Sequence, residues 1–113
     1  MEEQLLAGLR RVAGVTAAYI VNGRGVVEAS ARGDARADQV QVQGALLAAI
    51  VGALRQAAVD LEIGGLAETI VEAEQGAIVA GALPAGRAAV VVADGKANLG
   101  MIRVELRRLR RAA

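Results

Sequence analysis

The chain has 113 residues, no cysteine, no histidine and one aromatic residue, Tyr19, with thirteen basic side chains against twelve acidic ones. This excludes disulfides, thiolate metal sites and thiol nucleophiles, and it removes histidine, the usual general base and commonest transition-metal ligand. A net charge of +1 supplies no field that demands nucleic acid or acidic lipid, and a lone Tyr supplies no base-stacking platform.

The length suits one domain, residues 1–113, able to bury its own core. The opening EEQLLAGLRRVAG puts Leu5, Leu9 and Val12 on one stripe with Leu6 beside it, the period of an amphipathic helix that ends near Gly14. Its charge precedes its apolar residues and is acidic, the reverse of a secretory signal, so a soluble cytoplasmic protein is expected. VTAAYIV and GVVEAS are β-rich runs joined at NGRG, a hairpin in which Asn22 and Gly23 are expected to take positive φ.

ARGDARAD is small and charged and reads as a loop. Its Arg-Gly-Asp tripeptide at Arg32 to Asp34 would matter on an extracellular protein and reads as chance here. Asp38 is the expected N-cap of a long helix from about Gln39 to Leu61, stopped by Gly64 and Gly65. LAETIVEAE, AIVAGAL and RAAVVVA are three strand-like runs separated by EQG and PAG, both ordinary turns. Asp94 is the expected cap of a closing helix whose apolar stripe is Leu99, Ile102, Leu106 and Leu109. Strands joined by tight turns are antiparallel neighbours, so the class is α+β with five antiparallel strands.

Catalytic motifs are weak. DGKA lacks both the glycine five residues earlier and the Ser or Thr of a phosphate loop, and NGRG lies between strands instead of opening a helix. The acids Glu68, Glu72 and Glu74 fall on one strand face without a base among them, which reads as a solvated face or binding rim. No cofactor, metal site or enzymatic activity is expected. The Arg-rich closing helix raises nucleic-acid or lipid binding, but a solvated face favoured by the helix dipole is the plainer account.

The central helix poses the sharpest question, because Gly44 to Leu54 contains no polar side chain. Leu47, Ile50 or Val51, Leu54 and Leu61 form a stripe for the sheet, and Leu46, Ala49 and Ala53 carry the apolar surface further round. A helix apolar nearly all round needs cover on two sides. A second copy across a two-fold axis is the economical cover. The uncharged run between Asp38 and Arg55 falls short of the roughly 18 residues of a spanning helix, so no transmembrane segment is expected.

LLAGLRRVAGVTAAYIVNGRGVVEAS, the Ala-rich central helix, GAIVAGAL and above all VVVADGKANLGMIRVELRRL resemble the Roadblock / dynein light chain family over nearly the whole chain. The closing pattern, a strand and then Ala97-Asn98-Leu99-Gly100 and an Arg-Glu-Leu helix, is its most specific part. The resemblance implies an α-β-β-α-β-β-β-α fold of profilin-like layering, with the long helix on one sheet face and the two terminal helices on the other. It also implies dimers, homotypic or with a paralogue, in which the long helices pair and two sheets join at an edge. Bacterial members partner small Ras-like GTPases and can stimulate hydrolysis, and other relatives serve as adaptors in motor- or membrane-associated complexes.

The expectation is a homodimeric, non-enzymatic partner of a small Ras-like GTPase, with a dimeric structural adaptor as the alternative and no nucleic acid involved. Arg36, Gln43, Leu46, Leu47, Ala48, Val51, Arg55 and Val59 are the candidate dimer or partner surface, with Arg36 or Arg55 as a conceivable finger.

Overall fold

In the computed structural model, which describes residues 2–32 and 37–112, α1 (Glu2–Arg10) leads into a hairpin of β1 (Val15–Val21) and β2 (Val27–Arg32). The long α2 (Ala37–Asp60) follows, then β3 (Glu68–Ala73), β4 (Gly76–Ala82), β5 (Ala88–Asp94) and α3 (Leu99–Ala112). The five strands form one sheet in the order β2-β1-β5-β4-β3, every neighbouring pair antiparallel. β5 is therefore central, flanked by β1 and β4, and β2 and β3 are the edges.

Alternation along β1 divides the interior. Ala17, Tyr19 and Val21 face α2, where they meet Leu47, Val51 and Val90. Ala18 and Ile20 face the terminal helices, where Leu6, Leu9, Val79, Val91, Ile102, Leu106 and Leu109 pack. β5 reads AAVVVAD because both of its faces are covered, the condition under which a strand loses its polar positions. The expected layering, one helix on one face and two on the other, is the observed one.

Several local expectations are corrected. In the first turn the positive φ falls on Gly25 (+82°), not on Asn22 or Gly23. The Asn22 side chain instead holds the loop by accepting the Arg24 and Val26 amides at 2.9 and 3.1 Å. α2 begins at Ala37, so Asp38 lies inside the helix instead of capping it. α3 is capped by Asn98, whose Oδ1 accepts the Met101 amide at 3.1 Å. Asp94 is used earlier: its Oδ1 accepts the Lys96 amide at 2.9 Å, and its own amide donates to the Gly14 carbonyl at 2.8 Å. Gly14 has φ +88°, and a Cβ there would stand 2.7 Å from the Ala97 Cα, so both reasons require glycine.

α2 ends before the glycines meant to stop it. Ile63 donates to the Ala58 carbonyl at 3.1 Å and Glu62 to Val59 at 3.0 Å, the paired bonds of a Schellman motif. The left-handed residue at its centre is Glu62 (φ +59°), not Gly64 or Gly65. Leu61 is consequently outside the helix and exposed, not part of the buried stripe.

Candidate functional site

α2 is the element through which the molecule has surface to offer. It packs mainly on β2, β1 and β5 and leaves the β4–β3 half of that sheet face without a helix. Its phase is set where a residue without a side chain meets β2. Gly44 is buried, and a Cβ there would overlap a Val27 methyl of β2. From Gly44 the helical period carries Leu47, Val51 and Ala58 inward, and all are buried. Polar side chains in its early turns tie the helix down. The Gln41 amide bonds both the amide and the carbonyl of Val27 at 3.3 and 3.4 Å. Tyr19 donates its hydroxyl to Gln43 Oε1 at 2.8 Å.

The opposite side of α2 is bare and apolar. Val42 and Leu46 each keep 63% of their surface in water and Ile50 39%. Ala45, Ala49, Ala53 and Ala57 fill the spaces between them and are exposed too. The apolar surface continues past the helix into Leu61 and Ile63. Beside α2 on the same sheet face, Val71 of the edge strand is exposed, and Ile78 and Val92 are half-buried.

The candidate surface residues divide accordingly. Leu46 lies on the bare face, Ala48 is half-buried on its flank, Val59 is exposed along that same flank near the end of the helix, and Gln43 is exposed while bonded to Tyr19. Leu47 and Val51 belong to the chain's own core. Arg55 is a structural anchor: its guanidinium donates to the Gly86 and Arg87 carbonyls, both at 2.7 Å, and holds the β4–β5 turn against α2. Arg36 lies outside the described residues, as do Gly33 and Asp34 of the Arg-Gly-Asp tripeptide. Val42 and Ile63 are surface residues that sequence reasoning passed over, and Leu61, expected in the buried stripe, is on the surface too. Val42 was findable, since it stands four residues before Leu46 on the same stripe.

Elsewhere the chemistry is sparse. Among the described residues no group of acids has the arrangement of a metal site. Glu68 is held by Arg103 at 3.2 Å and Arg107 at 3.4 Å across the start of the edge strand, so it is not half of a carboxylate pair. Burial raises its pKa, but hydrogen bonds and charge from the two guanidiniums outweigh that and hold it below the ordinary carboxylate value. Gln39–Asp60 is long and apolar enough by length and composition to cross a bilayer. In this fold its buried stripe rests on the sheet.

Residues 1–93 match the Roadblock/LC7 domain family model. A Roadblock/LC7 domain from Streptomyces avermitilis superposes with a TM-score of 0.87 at 21% identity, covering 97% of this chain and 92% of that one. Myxococcus xanthus MglB gives 0.80 at 16%, with 96% and 85% covered. An MglB with tetrameric arrangement gives 0.83 at 19%, with 98% and 83% covered. No curated protein matches. The family match ends before the Ala97-Asn98-Leu99-Gly100 pattern, and α3 enters the likeness through the solved structures, which show a shared fold. With its N-terminal 93 residues matched and every layer in place, the chain belongs to the Roadblock/LC7 domain family, a family of regulators and adaptors.

Proposed function

We propose that this chain acts in the cytoplasm as a single-domain, homodimeric, non-enzymatic regulator of a small Ras-like GTPase. The observation that carries the reading is the bare apolar face of α2, where Val42, Leu46 and Ile50 repeat every four residues and all remain exposed. Burying one Leu side chain is worth about 1.5–3 kcal/mol, and a two-fold axis uses every such contact twice. The edge strand β3, with Val71 exposed beside α2, extends the same surface. Similarity to an MglB with tetrameric arrangement supports self-association.

The GTPase partnership rests on what the family resemblance implies. A paired-helix platform would bind one conformation of the partner's switch loops more tightly than the other and shift that equilibrium by the difference. Arg55 is occupied by two carbonyls, which favours holding the switch loops over inserting an arginine. The same observation favours the second reading, a dimeric adaptor that leaves GTP turnover unchanged.

Light scattering is expected to give twice 11.5 kDa for the wild type and the single mass for Leu46→Glu, with the circular dichroism of the fold retained. Leu47→Glu is not equivalent, because Leu47 is buried in its own chain and its loss would unfold the monomer. Retention of a small Ras-like GTPase on the immobilised dimer, compared between GTP- and GDP-loaded forms, tests the partner. Equal retention in both states, with unaltered turnover, leaves the adaptor reading. A wild-type monomer at high concentration removes the dimer.

A further inference from the structure

The sheet face opposite α2 carries a second surface, and its case does not depend on dimerisation. α1 ends beside the start of α3, and between them lies a cleft of about 500 Å³ lined by Val12 and Ala13 on one side and Met101 on the other. Arg11 and Arg108 also line it, together with Glu105, whose carboxylate is paired with Arg108 at 3.2 Å.

Steps of three and four residues place Met101, Val104, Arg108 and Arg111 along one outward stripe of α3, and all four are exposed. Ile102, Leu106 and Leu109 already fill the core beneath, so Met101 and Val104 are apolar surface the chain does not need for its own packing.

Charge is concentrated in the same place. α3 holds five arginines and one glutamate in a chain whose net charge is only +1, so the remainder of the molecule is net acidic. Arg103 and Arg107 are drawn to Glu68 on the β3 side. Arg11 and Arg111 carry no ion pair among the described residues.

We propose that this cleft docks an acidic amphipathic segment of a partner protein. One apolar side chain of the segment sits between Val12 and Met101, and its carboxylates lie over Arg11, Arg108 and Arg111. Charge complementarity selects an acidic partner. The concave, partly apolar floor suits an inserted side chain better than a flat bilayer, which needs a broader apolar face. Tyr19, the one aromatic residue, is buried and leaves no stacking platform for nucleic acid. Because α2 lies on the other sheet face, the cleft stays open when α2 pairs.

The test uses the full chain and a fluorescein-labelled helical peptide with leucines at three- and four-residue spacing and glutamates between them, followed by anisotropy. Saturable binding is expected, weakened about tenfold by Arg11→Glu with Arg108→Glu. Ala13→Trp fills the cleft without changing charge and weakens binding as much; should it unfold, Met101→Glu probes the same seat. Arg24→Glu, in the turn between β1 and β2, leaves binding unchanged. Thermal unfolding and solution mass of each variant separate loss of this site from loss of fold or of the α2 contact. Absence of saturable binding, or full binding in the filled-cleft variant, overturns the proposal. So does equal affinity for phosphatidylserine vesicles or duplex DNA that falls with the same variants.

Discussion

Tyr19 on β1 donates its hydroxyl to Gln43 Oε1 on α2 at 2.8 Å, a bond between a fully buried ring and an exposed amide. It joins the centre of the sheet to the early turns of the helix that covers it. Tyr19→Phe removes the donor and leaves the amide oxygen within reach of water, so the expected cost is the net worth of one hydrogen bond, about 1 kcal/mol. Urea unfolding should show a lower midpoint with an unchanged slope. An unchanged midpoint would mean that the two side chains do not meet in solution.

The element order was readable because each element carries its own signature: four apolar residues at helical spacing along α3, a β-rich run in β1, a fully apolar run in β5. The phase of α2 was readable only in part, with Leu47 expected on the sheet and the choice between Ile50 and Val51 left open. Leu46 and Leu47, like Ile50 and Val51, are apolar doublets, and in a helix without a polar face either member can point inward. The choice belongs to Gly44, whose missing side chain lets α2 settle onto Val27 and turns Leu47 and Val51 to the sheet. Leu46 and Ile50 are turned outward by the same contact, which changes the residues a partner would meet. The caps failed for a related reason. Asp38, Asp94 and Asn98 all have capping chemistry, and only the tertiary bond from the Asp94 amide to the Gly14 carbonyl reserves Asp94 for the turn.

The end of α2 carries avoidable strain. Glu62 adopts φ +59° to close the Schellman motif, a conformation that costs an L-residue about 1–2 kcal/mol and glycine little. Its carboxylate also lies near the negative end of the helix dipole, with Asp60 two residues before it. Glu62→Gly is expected to stabilise the fold by about 0.5–1 kcal/mol after the added entropy of the unfolded chain is subtracted. A higher urea midpoint checks this, and a lower one would show that the left-handed turn is not held.

Acid should loosen α3 from the edge strand. The Glu68 pKa lies below its ordinary value of about 4.5, so the unfolded chain takes up the proton first as pH falls. The stabilising contribution is complete above that ordinary value and is lost as pH drops through the lower folded one. The stability gap between wild type and Glu68→Gln is thus expected to be constant from about pH 7 to 5 and to shrink below the ordinary carboxylate value. Glu28 is also lowered, first by its hydrogen bond from Arg87 and then by that from Asn22, and titrates in the same direction. Glu28→Gln as a common background separates the two. A Glu68 gap undiminished at about pH 3 would contradict the ion pairs with Arg103 and Arg107.

Gly44 offers the most direct test of how α2 is seated. In an isolated helix Gly→Ala gains about 1 kcal/mol of propensity. Here the new methyl would overlap Val27 on β2, and overpacking typically costs about 1–3 kcal/mol. Valine is stiff about χ1 and has few other rotamers to escape into, so the steric cost is expected to exceed the propensity gain. Gly44→Ala should therefore lower stability, and by lifting the helix it should also weaken self-association through the outward face. Val27→Ala removes the opposing methyls, so in the double variant the penalty should largely vanish, giving a coupling energy of about 1 kcal/mol or more. Independent, additive effects would place Gly44 away from β2, and with it would go the phase that turns Leu46 to the outside.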